Sequence, residues 1–176
     1  MTTTYARWLV LTLLLALQSL CLANDFVGRV VGVMDGDTLD VLTDGKELVR
    51  VRLSGIDAPE KHQPFGQVAK KALSDLTYNK RATVDWAKRD RYGRVIGRVL
   101  IAGLDTNLQM VKQGLAWHYK RYQKEQPLDD RLTYARAEDA ARARHVGLWV
   151  DKEPMAPWEF RERKRDAYRT QSAELH

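Results

Sequence analysis

The sequence predicts an α+β domain built on a small five-stranded β-barrel with three helices. Strand-like segments fill the first half of the chain and helix-like segments the second, with no internal repeat and no low-complexity stretch. A strong turn signal, Asp44-Gly45, separates two β-rich segments, and the second alternates: Val49, Val51 and Leu53 face one way, Arg50 and Arg52 the other. Glycines interrupt the first strand at Gly28 and Gly32, where a barrel must bend. Short strands of this kind, with helices at the closing points, match a closed barrel of the OB type.

Each element has its own local reason. Residues 26–33 form an apolar run fit for a buried strand, and 38–43 and 48–53 are the arms of the hairpin around Asp44-Gly45. Residues 67–76 are rich in helix formers and stop before Tyr78-Asn79. Residues 81–88 and 95–101 read as two more strands, joined across Asp90-Arg91-Tyr92-Gly93. Asp105 or Thr106 can cap a helix through Leu108 and Val111, with Gly114 at its end. A longer helix begins after Pro127 and runs through Leu132, Ala135 and Arg142 to His145, stopped by Gly147; Glu138 and Arg142 lie one turn apart in the favourable order. Pro154 and Pro157 bracket a short linker to a charged helical tail, so the domain is expected over 24–150 and the tail over 151–176.

Residues 1–23 read as a cleaved export signal. Arg7 supplies the positive start, Trp8 to Leu17 is almost wholly apolar, and Ala23 ends the stretch with a small residue. The apolar run is about ten residues, short of the roughly 20 that a spanning helix needs, so no membrane anchor is expected. Leu20 before Cys21 weakens a lipoprotein reading. Cleavage after Ala23 leaves 28 Lys and Arg against 23 Asp and Glu, a net +5, and removes the single cysteine. An exported periplasmic or extracellular protein of bacterial type follows, held by its core rather than by disulfides. Its basic charge suits a polyanion, although charge alone could serve solubility.

The chemistry gathers in 35–60. Folding the hairpin at Asp44-Gly45 returns Asp37 to within about one residue pair of Arg52, a spacing of roughly 5–8 Å. A two-residue loop puts Asp37 opposite Arg52, whereas a three-residue loop matches the apolar faces better. Asp57 and Glu60 follow just past the strand end. Three carboxylates in one place repel one another unless a cation sits among them. A hard divalent ion such as Ca²⁺ would take two carboxylates and a carbonyl as a partial shell. Soft-metal sites are not supported, because the four histidines are scattered and the cysteine is lost. Arg52, and Arg94 just past the Asp90–Gly93 turn, would offer planar donors to a phosphodiester, with Glu60 as general base. Taken singly, Asp37 and Asp57 could be turn residues and each arginine a solvated charge.

Three motifs in order, Asp35-Gly36-Asp37-Thr38, Arg52 with Asp57-Ala58-Pro59-Glu60, and Asp90-Arg91-Tyr92-Gly93-Arg94, resemble those of the staphylococcal (micrococcal) thermonuclease family. Val111-Lys112-Gln113-Gly114-Leu115-Ala116 is also similar, and the likeness spans about 26–150. The resemblance implies an OB-type barrel and a Ca²⁺-dependent phosphodiesterase for DNA and RNA that leaves 3′-phosphates. It places Asp37, Asp57 and the Ala58 carbonyl on calcium, Arg52 and Arg94 on phosphate, and Glu60 as the proposed base. Arg91 and Tyr92 in the same turn, with Tyr119 and Tyr122, are expected to contact substrate, single-stranded or locally open. A monomer is expected.

Two segments depart from the family. The loop after Glu60, Lys61 to Gly66, is shorter than in the founding member, where it helps position the base. In Trp117 to Tyr122, an ungapped match puts Lys120 and Tyr122 on the two base-stacking tyrosine positions and leaves Tyr119 offset by one. Aromatics interleaved with Lys and Arg suit stacked bases, at about 1–3 kcal/mol each. Equally, Trp117 and Tyr119 could pack under the C-terminal helix. The rival function is an OB module that binds nucleic acid without cutting it, but such a binder has no use for Asp37, Asp57 and Glu60 beside a polyanion. A basic tail around Arg161 to Arg165 could also serve surface adhesion, though a solvated helix explains it more simply.

Overall fold

The computed structural model describes residues 24–174. The expected export signal over 1–23 lies outside the described residues. The strands are β1 (Asn24–Val33), β2 (Thr38–Thr43), β3 (Leu48–Leu53), β4 (Ile56–Asp57), β5 (Arg81–Arg89), β6 (Val95–Ile101), β7 (Leu104–Asp105) and β8 (Trp117–His118). The α-helices are α1 (Gly66–Thr77), α2 (Thr106–Lys112), α3 (Leu128–Ala143) and α4 (Pro157–Glu174), with 3₁₀ turns at Lys120–Glu125 and Gly147–Val150.

The main sheet runs β3-β2-β1-β5-β6-β7, and a further pairing of β3 with β6 closes β1, β2, β3, β5 and β6 into a five-stranded barrel. That seam is parallel and short: Val51 pairs with Val95, Arg52 with Ile96 and Leu53 with Gly97. Asn107, fully buried at the start of α2, braces it. Its Oδ1 accepts from the Val99 N–H at 3.1 Å, and its Nδ2 donates to the Ser54 and Gly97 carbonyls at 3.0 and 3.1 Å. A side-chain amide thus does for irregular backbone what a ladder would do elsewhere.

The interior follows from the alternation. Val30, Leu39, Val41, Val51, Leu53, Val84, Val95 and Val99 point inward, and α1 and α2 cap them with Ala69, Leu73, Met110 and Val111. Burying each of the larger aliphatic side chains stabilises by roughly 1.5–3 kcal/mol. A second cluster, Trp117, Ala141, Leu148, Trp149 and Ala156, joins the C-terminal half to the barrel.

The hairpin loop has three residues. Thr43 and Glu47 pair across it and Lys46 takes the left-handed conformation at φ 63°, so Thr38 faces Arg52 and Asp37 lies one position further out. The apolar faces therefore decide the register. Asp105 caps α2 by accepting from the Leu108 N–H at 2.9 Å. Helix α3 starts after Pro127 and stops two residues before the expected end, because His145 turns left-handed at φ 50°.

The Glu138–Arg142 pair expected one turn apart on α3 is present at 3.7 Å, but Glu138 is not on the surface. It is buried, accepts from the His118 N–H at 3.2 Å and pairs with Lys120 at 2.8 Å. The Arg142 guanidinium also lies 3.7 Å from the centre of the Trp149 ring. Helix α3 packs against β8, so the acid also satisfies backbone.

Candidate active site

Two glycines let the acidic loops come together. At Gly36 an added Cβ would stand 2.7 Å from both the Ala58 and Ala69 Cβ atoms, so the 35–37 loop can lie on 57–58 only without a side chain there. At Gly66 it would run into the Glu60 carbonyl, which holds the short loop after Glu60 against the start of α1. The same loop is pinned by Gln63, whose Oε1 accepts from the Glu60 N–H at 3.1 Å and whose Nε2 donates to the Met155 carbonyl at 2.6 Å.

Asp37, Arg52, Asp57, Ala58 and Glu60 come together in space. Arg52 Nη2 reaches Asp57 Oδ1 at 2.8 Å and Asp37 Oδ2 at 3.2 Å, and its Nη1 donates to the Leu53 and Ile56 carbonyls at 2.9 Å each. The Ala58 N–H donates to Asp37 Oδ2 at 2.8 Å, and the Thr38 hydroxyl to Asp37 Oδ1 at 3.0 Å. Asp57 is fully buried. Burial pushes its carboxyl above the usual range, opposed mainly by hydrogen bonds from Arg161 and the charge of Arg52. Asp35 is raised to about 6 by burial and then by the charge of Asp37. This is an acid-rich pocket whose repulsion is met by two guanidinium groups.

Arg94 sits on the neighbouring hairpin. Because Arg52 pairs with Ile96, and alternate residues of β6 share a face, the backbone register puts Arg94 on the same side as Arg52, about 7 Å along the strand. Its guanidinium is held by Asp90 at 2.8 Å through both Nε and Nη2. Burial works against the Asp90 charge, but hydrogen bonds from the Arg94 side chain and from the Arg94 and Tyr92 backbone hold this carboxyl below its ordinary range. Tyr92 is exposed; Arg91 and Arg94 lie 4.8 and 5.6 Å from its ring centre.

The two-stranded ladder of β4 with β8 brings the aromatic segment alongside. Asp57 pairs with Trp117 and Ile56 with His118, and the Tyr119 N–H donates to the Gly55 carbonyl at 2.9 Å. Burial and then the charge of Asp57 raise the Tyr119 hydroxyl. Tyr119 meets Tyr122 edge-on at 5.0 Å, and Tyr122 is exposed. One face of Tyr119 is taken by Trp158 of α4, stacked at 5.5 Å with 10° between planes. Packing under the C-terminal helix is thus what Trp117 and Tyr119 do here, with Trp117 edge-on to Trp158 and Trp149.

A residue the sequence reading left in a solvated tail also enters the pocket. Arg161 Nη2 lies 2.7 Å from Asp57 Oδ2, and its Nη1 lies 3.3 Å from Asp57 Oδ1 and 2.8 Å from Glu60 Oε1. The available signal was Trp158, an indole directly after Pro157 in an otherwise charged segment, with Arg161 one helical turn on.

Among the described residues no cluster of three or more His, Cys, Asp or Glu side chains is arranged to hold a metal by itself. Asp37 and Asp57, both held to Arg52, bring carboxylate oxygens together beside Ala58, and oxygens are the donor type a hard divalent cation takes.

The model for staphylococcal nuclease homologues matches residues 50–151. The chain belongs to the staphylococcal nuclease family. It is 42% identical over 155 residues to a Haemophilus influenzae protein described as an uncharacterized endonuclease, covering 88% of this chain and 84% of that one. It is 40% identical over 153 residues to a micrococcal nuclease of Shigella flexneri, covering 81% and 84%. Over 116 residues it is 41% identical to a staphylococcal-like nuclease of Arabidopsis thaliana, covering 66% of this chain and 34% of that protein. The staphylococcal nuclease match begins within β3 and ends just past the Gly147–Val150 turn, so it takes in Arg52, Asp57, Glu60 and Arg94 but neither Asp37 nor α4.

Proposed function

We propose that this protein is a Ca²⁺-activated endonuclease hydrolysing phosphodiester bonds of DNA and RNA, with single-stranded or locally open segments preferred. The observation that carries the reading is Asp57, a buried carboxylate beside Glu60 and Asp37 in a pocket that also presents Arg52. A module that only binds nucleic acid gains nothing from three acids beside a polyanion. The names of the relatives, endonuclease and micrococcal nuclease, support the same reading.

In this proposal Asp37, Asp57 and the Ala58 carbonyl hold the cation, which when bound adds positive charge beside a phosphoryl oxygen. Arg52 gives its Nη1 hydrogens to two carbonyls and one Nη2 hydrogen to Asp57, so its Nε–H and its second Nη2 hydrogen are the donors offered to phosphate. Arg94 approaches from the other hairpin and exchanges Asp90 for the phosphoryl oxygens, where charge grows as the bond breaks. Glu60 takes the proton of the attacking water. The water oxygen bonds to phosphorus, the P–O5′ bond breaks, and the departing oxygen takes a proton from solvent, leaving a 3′-phosphate. Arg91, Tyr92, Tyr119 and Tyr122 contact the flanking nucleotides.

The test is incubation of the purified protein with single- and double-stranded DNA and RNA, in Ca²⁺ or in chelator, with end-group analysis. Cleavage in Ca²⁺ that stops in chelator is expected. Undiminished cleavage in chelator would remove the cation from the proposal, and binding without cleavage under every condition would leave the non-catalytic module.

A further inference from the structure

Besides seating Trp158 edge-on against Trp117 at 5.5 Å, the first turn of α4 makes two contacts that fall on the two features the proposed substrate and cation need. Trp158 covers one face of Tyr119, and Arg161 takes both oxygens of Asp57 and one of Glu60. Beyond Arg161 the helix is exposed from Glu162 to Ser172. Its docking therefore rests on one turn, together with buried Ala156 and the Gln63 bond to the Met155 carbonyl. Burial works against charge on Arg161, but its bonds to Asp57 and Glu60 outweigh that and keep it protonated.

We propose that the first turn of α4 is an internal ligand of the active site, with the Trp158 indole in the place of a stacked base and the Arg161 guanidinium in the place of the cation. This rests on the reading that Asp57 is a cation ligand. With Arg161 in place, Asp57 Oδ1 serves Arg52 and Arg161, and Oδ2 serves Arg161, so a cation that takes Asp57 competes with a guanidinium for the same two oxygens. Two like charges on one carboxylate also repel. A base can stack on the covered face of Tyr119 only if Trp158 leaves. Cation and nucleic acid thus act together to lift the turn, and the docked helix holds the acid pocket neutralised in their absence. The chain carries its own competitor.

Competition makes a measurable statement about affinity. Apparent cation affinity falls by the fraction of molecules in which the turn is docked. Arg161 is partly exposed, so solvent discounts its pairs, and a roughly three- to thirtyfold effect is expected. Ca²⁺ binding is measured by titration calorimetry on the parent, Arg161→Ala, Trp158→Ala and Asp57→Asn, with thermal melts to confirm folding. Arg161→Ala is expected to bind Ca²⁺ tighter by that factor. Trp158→Ala, which removes no carboxylate partner, is expected to tighten binding several-fold because it loosens the same turn. In the unsubstituted parent, saturating Ca²⁺ with a short oligonucleotide carrying non-hydrolysable phosphonate linkages is expected to speed amide hydrogen exchange over residues 157–165.

Arg161→Ala binding no tighter than the parent, with Asp57→Asn abolishing binding, would overturn the competition and leave the cation reading intact. Tighter binding by Arg161→Ala alone, with Trp158→Ala and exchange unchanged, would reduce the effect to one charge and overturn the helix as a unit. No Ca²⁺ binding by parent, Arg161→Ala or Trp158→Ala would remove the cation reading, and the competition with it.

Discussion

Two hairpins present an arginine to the same face of the barrel, and they hold it in opposite ways. Arg52, from the β2–β3 hairpin, is clamped by Asp37, Asp57 and two carbonyls, and its side chain is 13% exposed. Arg94, from the β5–β6 hairpin, has its own neighbour Asp90 as partner, in a turn beside exposed Tyr92, and is 28% exposed. The first is fixed before any substrate arrives. The second can trade its carboxylate for a phosphate without disturbing the barrel. A fixed guanidinium beside a movable one suits a reaction in which phosphate must be positioned and then charge must be met as it develops.

The sharpest way to isolate the fixed side is Glu60→Gln, which keeps size but cannot take a proton. Turnover is expected to fall roughly 10²–10⁴-fold, with nucleic-acid affinity in Ca²⁺ unchanged or slightly tighter. Cleavage at the parent rate would falsify the general-base role. The direct comparison comes next. Arg52→Gln leaves buried Asp57 without its closest inner partner and should destabilise by about 3–5 kcal/mol. Arg94→Gln should cost about 1 kcal/mol or less in stability, yet lower turnover on the order of 10²-fold. Urea melts beside rate measurements decide it, and equal melts for the two variants would mean the hairpins do not differ as described.

The smallest expected effect belongs to Asp90. Against the cost of burial, hydrogen bonds from Arg94 and the Tyr92 backbone hold its carboxyl below the ordinary aspartate range, so its ionised form is the one that stabilises. That contribution is present above the unfolded value and is lost as pH falls through the lower folded value. Asp90→Asn should therefore melt earlier than the parent at pH 7, and the gap should close as the pH drops below about 4. A gap that persists at low pH would assign the effect to the turn geometry instead.

Much of the β2–β3 side was legible because its signals are local. Alternation in 48–53 fixed the inward face, and Asp44-Gly45 placed the turn, so Asp37 and Arg52 had to meet. What stayed hidden depends on contacts distant in sequence. Nothing near Arg161 indicates that Asp57, far back in the chain, lies under it. Glu138 was legible only in part, as the neighbour of Arg142 one turn on: a helix-face pattern cannot reveal that the His118 N–H sits beneath that face and needs an acceptor. The ladder of β4 with β8 is two residues long on each side, too short to show any period, although it sets Tyr119 beside the acids.

The β3–β6 seam also bears on how quickly the chain can fold. Its three rungs join strands about forty residues apart, so a large loop entropy must be met before much pairing energy returns. Hairpins β2–β3 and β5–β6 can form early, each from neighbouring residues. Closure then waits on Asn107, which can bridge Ser54 and Gly97 only once the start of α2 is in position. The rate-limiting event is thus expected to include a local helix from the far side of the seam, not strand pairing alone. In stopped-flow refolding, Asn107→Ala should slow folding more than it speeds unfolding; the reverse pattern would place the brace after the barrier.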